Sequence, residues 1–295
     1  MTLYNLKGVI LLNIQLMTDG GADIPIELTE KTNITIVPLY LRFGNQEYQT
    51  GKDLDAQTFH DKIKEFKQIP KSSAPSPNDF YETFKKAEAD KPILMISMSK
   101  ALSSTYENAL IAKKQILDEE PSREIAVINA KTASCGIGLL IHETQKKLNE
   151  NYDFKSLVSH LEEKVEDMST LFILKSLNNL ILGGRLDRVK GAIAKTLNIK
   201  LLLKASEEGA VEVSEKIRGN KRALKRFINQ IEEYVTNVED KTIVMTHTNA
   251  PEYGRTVLNK ILERYPFKEA YLTETGPLIS TYADDGGLVI SFFNT

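Results

Sequence analysis

A chain of 295 residues has the length of about two ordinary domains, and its 41% hydrophobic and 26% charged residues supply enough apolar material for packed cores, which argues against a disordered chain. The 38 basic and 40 acidic side chains leave a net charge of −2, so no nucleic-acid partner and no general pull toward an anionic membrane are expected. The single cysteine, Cys135, excludes an internal disulfide and a cysteine-based zinc site, and it fits a reducing compartment, with the cytoplasm as the expected location.

The run from Gly8 to Thr18 lacks charge but contains Asn13 and Gln15 and is far shorter than the roughly 20 residues of a spanning helix. No integral membrane segment or signal peptide is expected. Within it, Val9 to Met17 reads as a buried strand that ends at a Thr-Asp-Gly-Gly turn. Pro25 is expected at the first position of a short helix. Ile34 to Phe43 reads as one β-rich run stopped by Gly44-Asn45. Asp55 caps a helix with Phe59, Ile63 and Phe66 on one face, and Ser76-Pro77-Asn78-Asp79 is a compact helix start. Ile93 to Met98 is a strand, Ser104-Thr105-Tyr106-Glu107 reads as another capping box, Ile125 to Asn129 is a strand, and Ser134 to Leu148 is a helix. This alternation predicts a Rossmann-like, mostly parallel sheet with helices on both faces.

The amphipathic helix from Phe154 to Met168 marks the expected boundary between an N-terminal α/β domain, 1–168, and a C-terminal α/β domain, 169–295. Beyond it, Leu171 to Leu174, Ile199 to Lys204 and Val211 to Ile217 read as short strands, the last two joined by a hairpin turn at Ser206-Glu207-Glu208-Gly209. Helices are expected at about Ala223 to Val235 and Glu252 to Arg264, and strands at Thr242 to His247, Glu269 to Glu274 and Leu288 to Phe293. The hairpin predicts a mixed or antiparallel second sheet, with the last strand free to pack back on the interface of the two domains.

Three polar loops follow strands, where open α/β sheets place ligands: residues 18–23, 72–77 and 97–105. The second and third run into helix N-termini, whose free N–H groups and dipole favour a carboxylate or phosphate; read as local sequence only, the same serines are helix caps. Lys216, Arg218, Lys221, Arg222, Lys225 and Arg226 form the densest basic run, which reads locally as a solvated helix face. Cys135 has no histidine placed beside it and reads as a small buried residue. The four histidines lack metal-ligand spacing, and no nucleophile elbow or phosphate-cradling glycine loop occurs, so no catalytic residue, metal or cofactor is expected.

Thr18-Asp19-Gly20-Gly21-Ala22-Asp23-Ile24-Pro25 resembles the opening Thr-Asp-Ser-x-Ala-Asp-Leu-Pro of the DegV family. Pro38-Leu39-Tyr40, Pro70 to Pro77, Leu102-Ser103-Ser104-Thr105-Tyr106, Gly183-Gly184-Arg185, Leu197-Asn198-Ile199-Lys200 and Lys216-Ile217-Arg218-Gly219 continue the match in order. The resemblance implies a non-enzymatic carrier of one long-chain, palmitate- or stearate-like fatty acid, held in a tunnel between the domains. It implies a carboxylate bound by hydroxyls at Ser72 and Ser103, with Ser73, Ser104, Thr105 and Tyr282 beside them. The partner it implies is a separate fatty acid kinase that makes the acyl phosphate, with Arg185, Lys216, Arg218 and Arg222 on a docking or phosphate rim.

The chain departs from the family at Gly20, Ala74, Lys100 and Ser104. Tyr282 stands at the position of the family's histidine, followed by Asp284-Asp285. A phenol still donates a hydrogen bond but does not become cationic near neutral pH. Two other readings remain open from sequence. One is a phosphotransferase-like enzyme using the serine loops and basic rim, with a metal at Asp19, Asp23, Asp284 or Asp285. The other is a regulatory protein that has lost lipid binding.

Overall fold

The structure, a computed structural model, describes residues 13–30, 33–186, 199–235 and 237–295. Strands β1 (Gln15–Asp19), β2 (Ile34–Val37), β6 (Ile93–Ser97) and β7 (Ile125–Asn129) form a parallel sheet in the order β2-β1-β6-β7. Every residue of β6 is buried, as a strand covered on both faces requires. Its side chains alternate. Ile93 and Met95 face Phe80 and Phe84 of α3 (Pro77–Lys86) and Ala109, Ala112 and Ile116 of α4 (Thr105–Glu119). Leu94 and Ile96 face the other way, toward α5 (Cys135–Asn149).

The second sheet contains β8 (Met168–Ile173), β9 (Ile199–Ala205), β10 (Val211–Arg218), β11 (Thr242–His247), β12 (Glu269–Glu274) and β13 (Leu288–Phe293), ordered β10-β9-β8-β13-β11-β12. Its pairs are antiparallel except β11 with β12. Its outer face packs on α8 (Asn220–Asn229), through Ala223 and Phe227, and on α9 (Pro251–Arg264), through Val257, Leu258 and Ile261. Its inner face meets α5, which packs against β11 and β13 on one side and β6 on the other. One core therefore runs from Leu16 and Leu94 through Ile137 and Leu140 to Val244 and Val289. Gly136 and Gly138 permit this sandwiching, because a Cβ at Gly138 would lie 2.8 Å from the Asp23 carbonyl oxygen.

Several local expectations change. The strand expected from Val9 runs from Gln15 to Asp19, and positions 9–12 lie outside the described residues, as do Leu197 and Asn198. Pro25 caps α1 (Ile26–Thr29) and does not occupy its first turn. The run Ile34 to Phe43 breaks at Pro38, which has no N–H to continue the ladder. The Leu39 N–H turns to Thr50 Oγ1 at 3.0 Å. The second piece becomes β3 (Tyr40–Phe43), which joins β4 (Gln46–Gln49) and β5 (Lys71–Ser73) in a small antiparallel sheet. Ser72 and Ser73 thus lie on a strand and not in a loop. Asp55 caps α2 (Ala56–Phe66), and Ser76 and Asp79 form the expected capping box. Ser104 makes no side-chain cap, and the Thr105 N–H goes to Ser103 Oγ instead. Two short helices, α7 (Asn178–Leu182) and α10 (Pro277–Ala283), have no counterpart in the expected elements, and α6 (Phe154–Glu166) leads into β8.

Candidate functional site

A cavity with about 850 Å³ of atom-free space, its mouth included, lies between the parallel sheet and the inner face of the six-stranded one. The first half of the chain contributes Leu39 and Ser72 from the small sheet, Met98, Leu102 and Ser103 after β6, and Thr132, Ala133 and Ser134 after β7. These last two groups follow the carboxyl ends of parallel strands, where an open sheet leaves a crevice. The opposite wall carries Thr170, Phe172 and Val289 from the second sheet, the hairpin turn around Gly209 and Ala210, and α10 with Leu278, Ile279, Tyr282 and Ala283. Leu180 of α7 and Arg185 close one edge. Most of these side chains are apolar, so the space suits an apolar body.

The hydroxyls of the wall have hydroxyl partners, on the wall or just behind it. Ser72 Oγ and the Tyr282 hydroxyl lie 2.6 Å apart, and Ser103 Oγ and Thr105 Oγ1 lie 2.7 Å apart. In a pair of hydroxyls one proton is used between them, and the other is left to turn toward a third acceptor. Each pair can therefore donate to a carboxylate without a buried lysine. Arg185 places its guanidinium 5.3 Å from the centre of the Tyr282 ring and donates to the carbonyls of Leu102, at 3.3 Å, and Gly183. Gly183 lies directly against that ring, where any side chain would collide with it. The tyrosine is thus gripped by Ser72, Gly183 and Arg185.

Of the residues singled out from sequence, Ser72, Ser103, Tyr282 and Arg185 line the cavity, and Thr105 is buried behind Ser103. Ser73 is exposed because neighbours on a strand point to opposite faces, and Ser104 is exposed at the start of α4. Lys216 and Arg218 on β10 and Arg222 on α8 are exposed and do not line the cavity. Arg226, in the same basic run, is ion-paired with Glu215 and Glu233, which makes that end of the run part of the scaffold.

Sequence reasoning missed Thr132, Ser134 and Thr170. Thr132 and Thr170 lie 2.9 Å apart, Thr170 and Ser291 2.9 Å, and Cys135 and Ser291 3.4 Å. Burial pushes the Cys135 thiol up to about 12, so it stays neutral and unreactive. Ser134 Oγ lies 2.5 Å from Asp23 Oδ2 and 3.0 Å from Thr246 Oγ1. Asp23 also accepts from the Gly276 N–H at 2.6 Å, yet its burial raises it to about 7. Asp19 is likewise raised by burial, although it accepts from the Gly21 and Met98 amides and from Ser97. These acids are held by donors of the fold. Among the described residues no cluster of three or more His, Cys, Asp or Glu is arranged to hold a metal, and no helix is long and apolar enough to cross a membrane.

A family model described as "Uncharacterised protein, DegV family" matches residues 13–295. A DegV domain-containing protein of Clostridium perfringens is 28% identical over 280 residues, covering 94% of this chain and 96% of that one. Among solved structures, a DegV family protein from Ruminococcus gnavus refined with vaccenic acid superposes with a TM-score of 0.88 at 26% identity, covering 95% of this chain and 99% of that one. The Streptococcus pneumoniae fatty acid kinase B3 protein loaded with linoleic acid gives 0.84 at 25% identity, covering 96% and 100%.

Proposed function

Because the chain belongs to the DegV family, we propose that it carries one long-chain fatty acid in the cavity between its two sheets and presents the carboxyl group to a separate fatty acid kinase. The observation that carries this reading is an apolar cavity whose wall holds the Ser72–Tyr282 hydroxyl pair and Ser103, which is backed by the Thr105 hydroxyl. A buried head group without partners costs several kcal/mol, roughly 2–7 for a neutral polar group, and these hydroxyls supply partners. The fatty acids carried by the Ruminococcus and Streptococcus proteins support the same ligand class here.

In this reading Ser72, Ser103 and Tyr282 hold the carboxyl group, and Thr105 orients Ser103. Arg185 borders the head group through the Tyr282 ring, and the exposed Lys216, Arg218 and Arg222 face the kinase. The protein acts in the cytoplasm as a carrier and catalyses no step alone. The chain divides into units 1–168 and 169–295; the start of the second sheet at Met168 supports that division. Denaturing solvent extraction of the purified protein, followed by mass spectrometry, tests the proposal. About one fatty acid per chain is expected; an empty protein that also refuses added fatty acid would overturn it.

A further inference from the structure

Asp23 sits outside the cavity wall, but both of its oxygens reach parts of that wall. Oδ2 meets the hydroxyl of Ser134, a wall residue, and Oδ1 accepts from the N–H of Gly276, which opens the helix carrying Leu278, Ile279, Tyr282 and Ala283. Ser134 has a φ of +61°, a conformation rarely taken by a residue with a side chain. It is pinned there from both sides. Its N–H donates to the Gly21 carbonyl at 2.7 Å, and its carbonyl accepts from the Asp23 N–H at 3.3 Å. One side chain from the β1–α1 loop therefore joins the corner before α5 to the head of α10, and Gly276 there lies 253 residues from Asp23 along the chain.

We propose that Asp23 is a positioning residue of this cavity: its carboxyl clasps the head of α10 to the Ser134 corner and so holds the Tyr282 wall closed. The clasp deepens the lipid-carrier reading, but only its second readout rests on that reading. Lifting α10 from Asp23 would admit water to a carboxyl that is otherwise fully buried. Water favours the ionised form, and the closed site favours the protonated one, consistent with an Asp23 raised to about 7. Protonation therefore favours the closed wall, and ionisation favours opening.

The other titratable groups around the clasp are Cys135, Asp19, His247, Glu274, His60 and Asp285, and the Asp23→Asn variant separates Asp23 from all of them. Cys135, at the start of α5, stays neutral. Asp19, on the same loop, is held by its own donors from Gly21, Ser97 and Met98. His247, at the end of β11, is pushed below its ordinary value by burial. Glu274, at the end of β12, and Asp285, just past α10, are both turned to His60 of α2, at 4.0 and 3.7 Å.

Amide exchange in the lipid-free protein tests the clasp directly. After correction for the chemical exchange rate, protection over residues 276–283 should fall several-fold from pH 6 to pH 8, while α3 changes little. Asp23→Asn, which keeps an acceptor for Gly276 but cannot ionise, should hold its pH 6 protection at both pH values. Equal wild-type protection at the two pH values overturns the clasp without recourse to the variant, and so does an Asp23→Asn profile that follows the wild type. The second readout is dissociation of parinaric acid, a fluorescent fatty acid. Release should be several-fold faster at pH 8 than at pH 6 in the wild type and unchanged in Asp23→Asn. Failure of parinaric acid to bind counts against the lipid reading, while the exchange result alone decides the clasp.

Discussion

Removing one hydroxyl at a time separates head-group binding from scaffold packing. Ser103→Ala takes a donor from the cavity wall and should weaken fatty acid binding by about 1–3 kcal/mol in a direct titration. An unchanged affinity would remove Ser103 from the head-group set. Tyr282→Phe keeps the ring that lies beneath Arg185 and against Gly183 but deletes the partner of Ser72. It should lower lipid affinity with little change in melting temperature, whereas a large loss of stability would make Tyr282 a packing residue first. Asp23 adds a dependence on pH. Its folded value, about 7, lies above the ordinary 3.8, so between these values the folded chain keeps a proton that the unfolded chain has released. Stability from this group is fullest below about pH 4 and declines as pH rises toward 7, with a total effect on the order of a few kcal/mol. Urea denaturation should therefore find Asp23→Asn closer to, or above, wild-type stability at pH 8 than at pH 5.

Among the elements, α5 is the least tolerant of added volume. Alanine at Gly138 would gain up to about 1 kcal/mol of helix propensity. Its Cβ, however, would press within 2.8 Å of the Asp23 backbone oxygen, and such overpacking typically costs about 1–3 kcal/mol. A net loss of stability is expected on urea denaturation. The elements most legible in sequence were those with one local cause. The apolar runs Ile125–Asn129, Thr242–His247 and Leu288–Phe293 are strands over those residues, and the Asp55 and Ser76 caps start their helices. Less legible were β4, with the polar sequence Gln-Glu-Tyr-Gln, and α10, too short for a clear helical period. Ser72 and Ser103 were readable through motif position. Thr132, Ser134 and Thr170 were not, because their importance arises only when distant strands meet; Thr170 and Ser291 are 121 residues apart in sequence.

At the scale of the whole molecule, the exposed Lys216, Arg218 and Arg222 are not among the residues that line the cavity. Reversing Arg218 and Arg222 to glutamate should leave lipid binding intact and slow acyl phosphate formation with the kinase. If both survive, those side chains are simply solvated. Arg226 is unsuited to that test because its ion pairs with Glu215 and Glu233 tie it to the scaffold. Calorimetry should give one cooperative transition, since the same core residues serve both sheets. The placement of α5 between those sheets also restricts how a proposed lipid cargo would get in and out. A hinge that swung the two halves apart would shear a fifteen-residue helix, ten of whose residues are buried, from one of its two beds. Loading and unloading of such a cargo would then work like a drawer set in a fixed frame: the frame would stay whole, and only a side panel such as α10 or the Gly209 turn would slide.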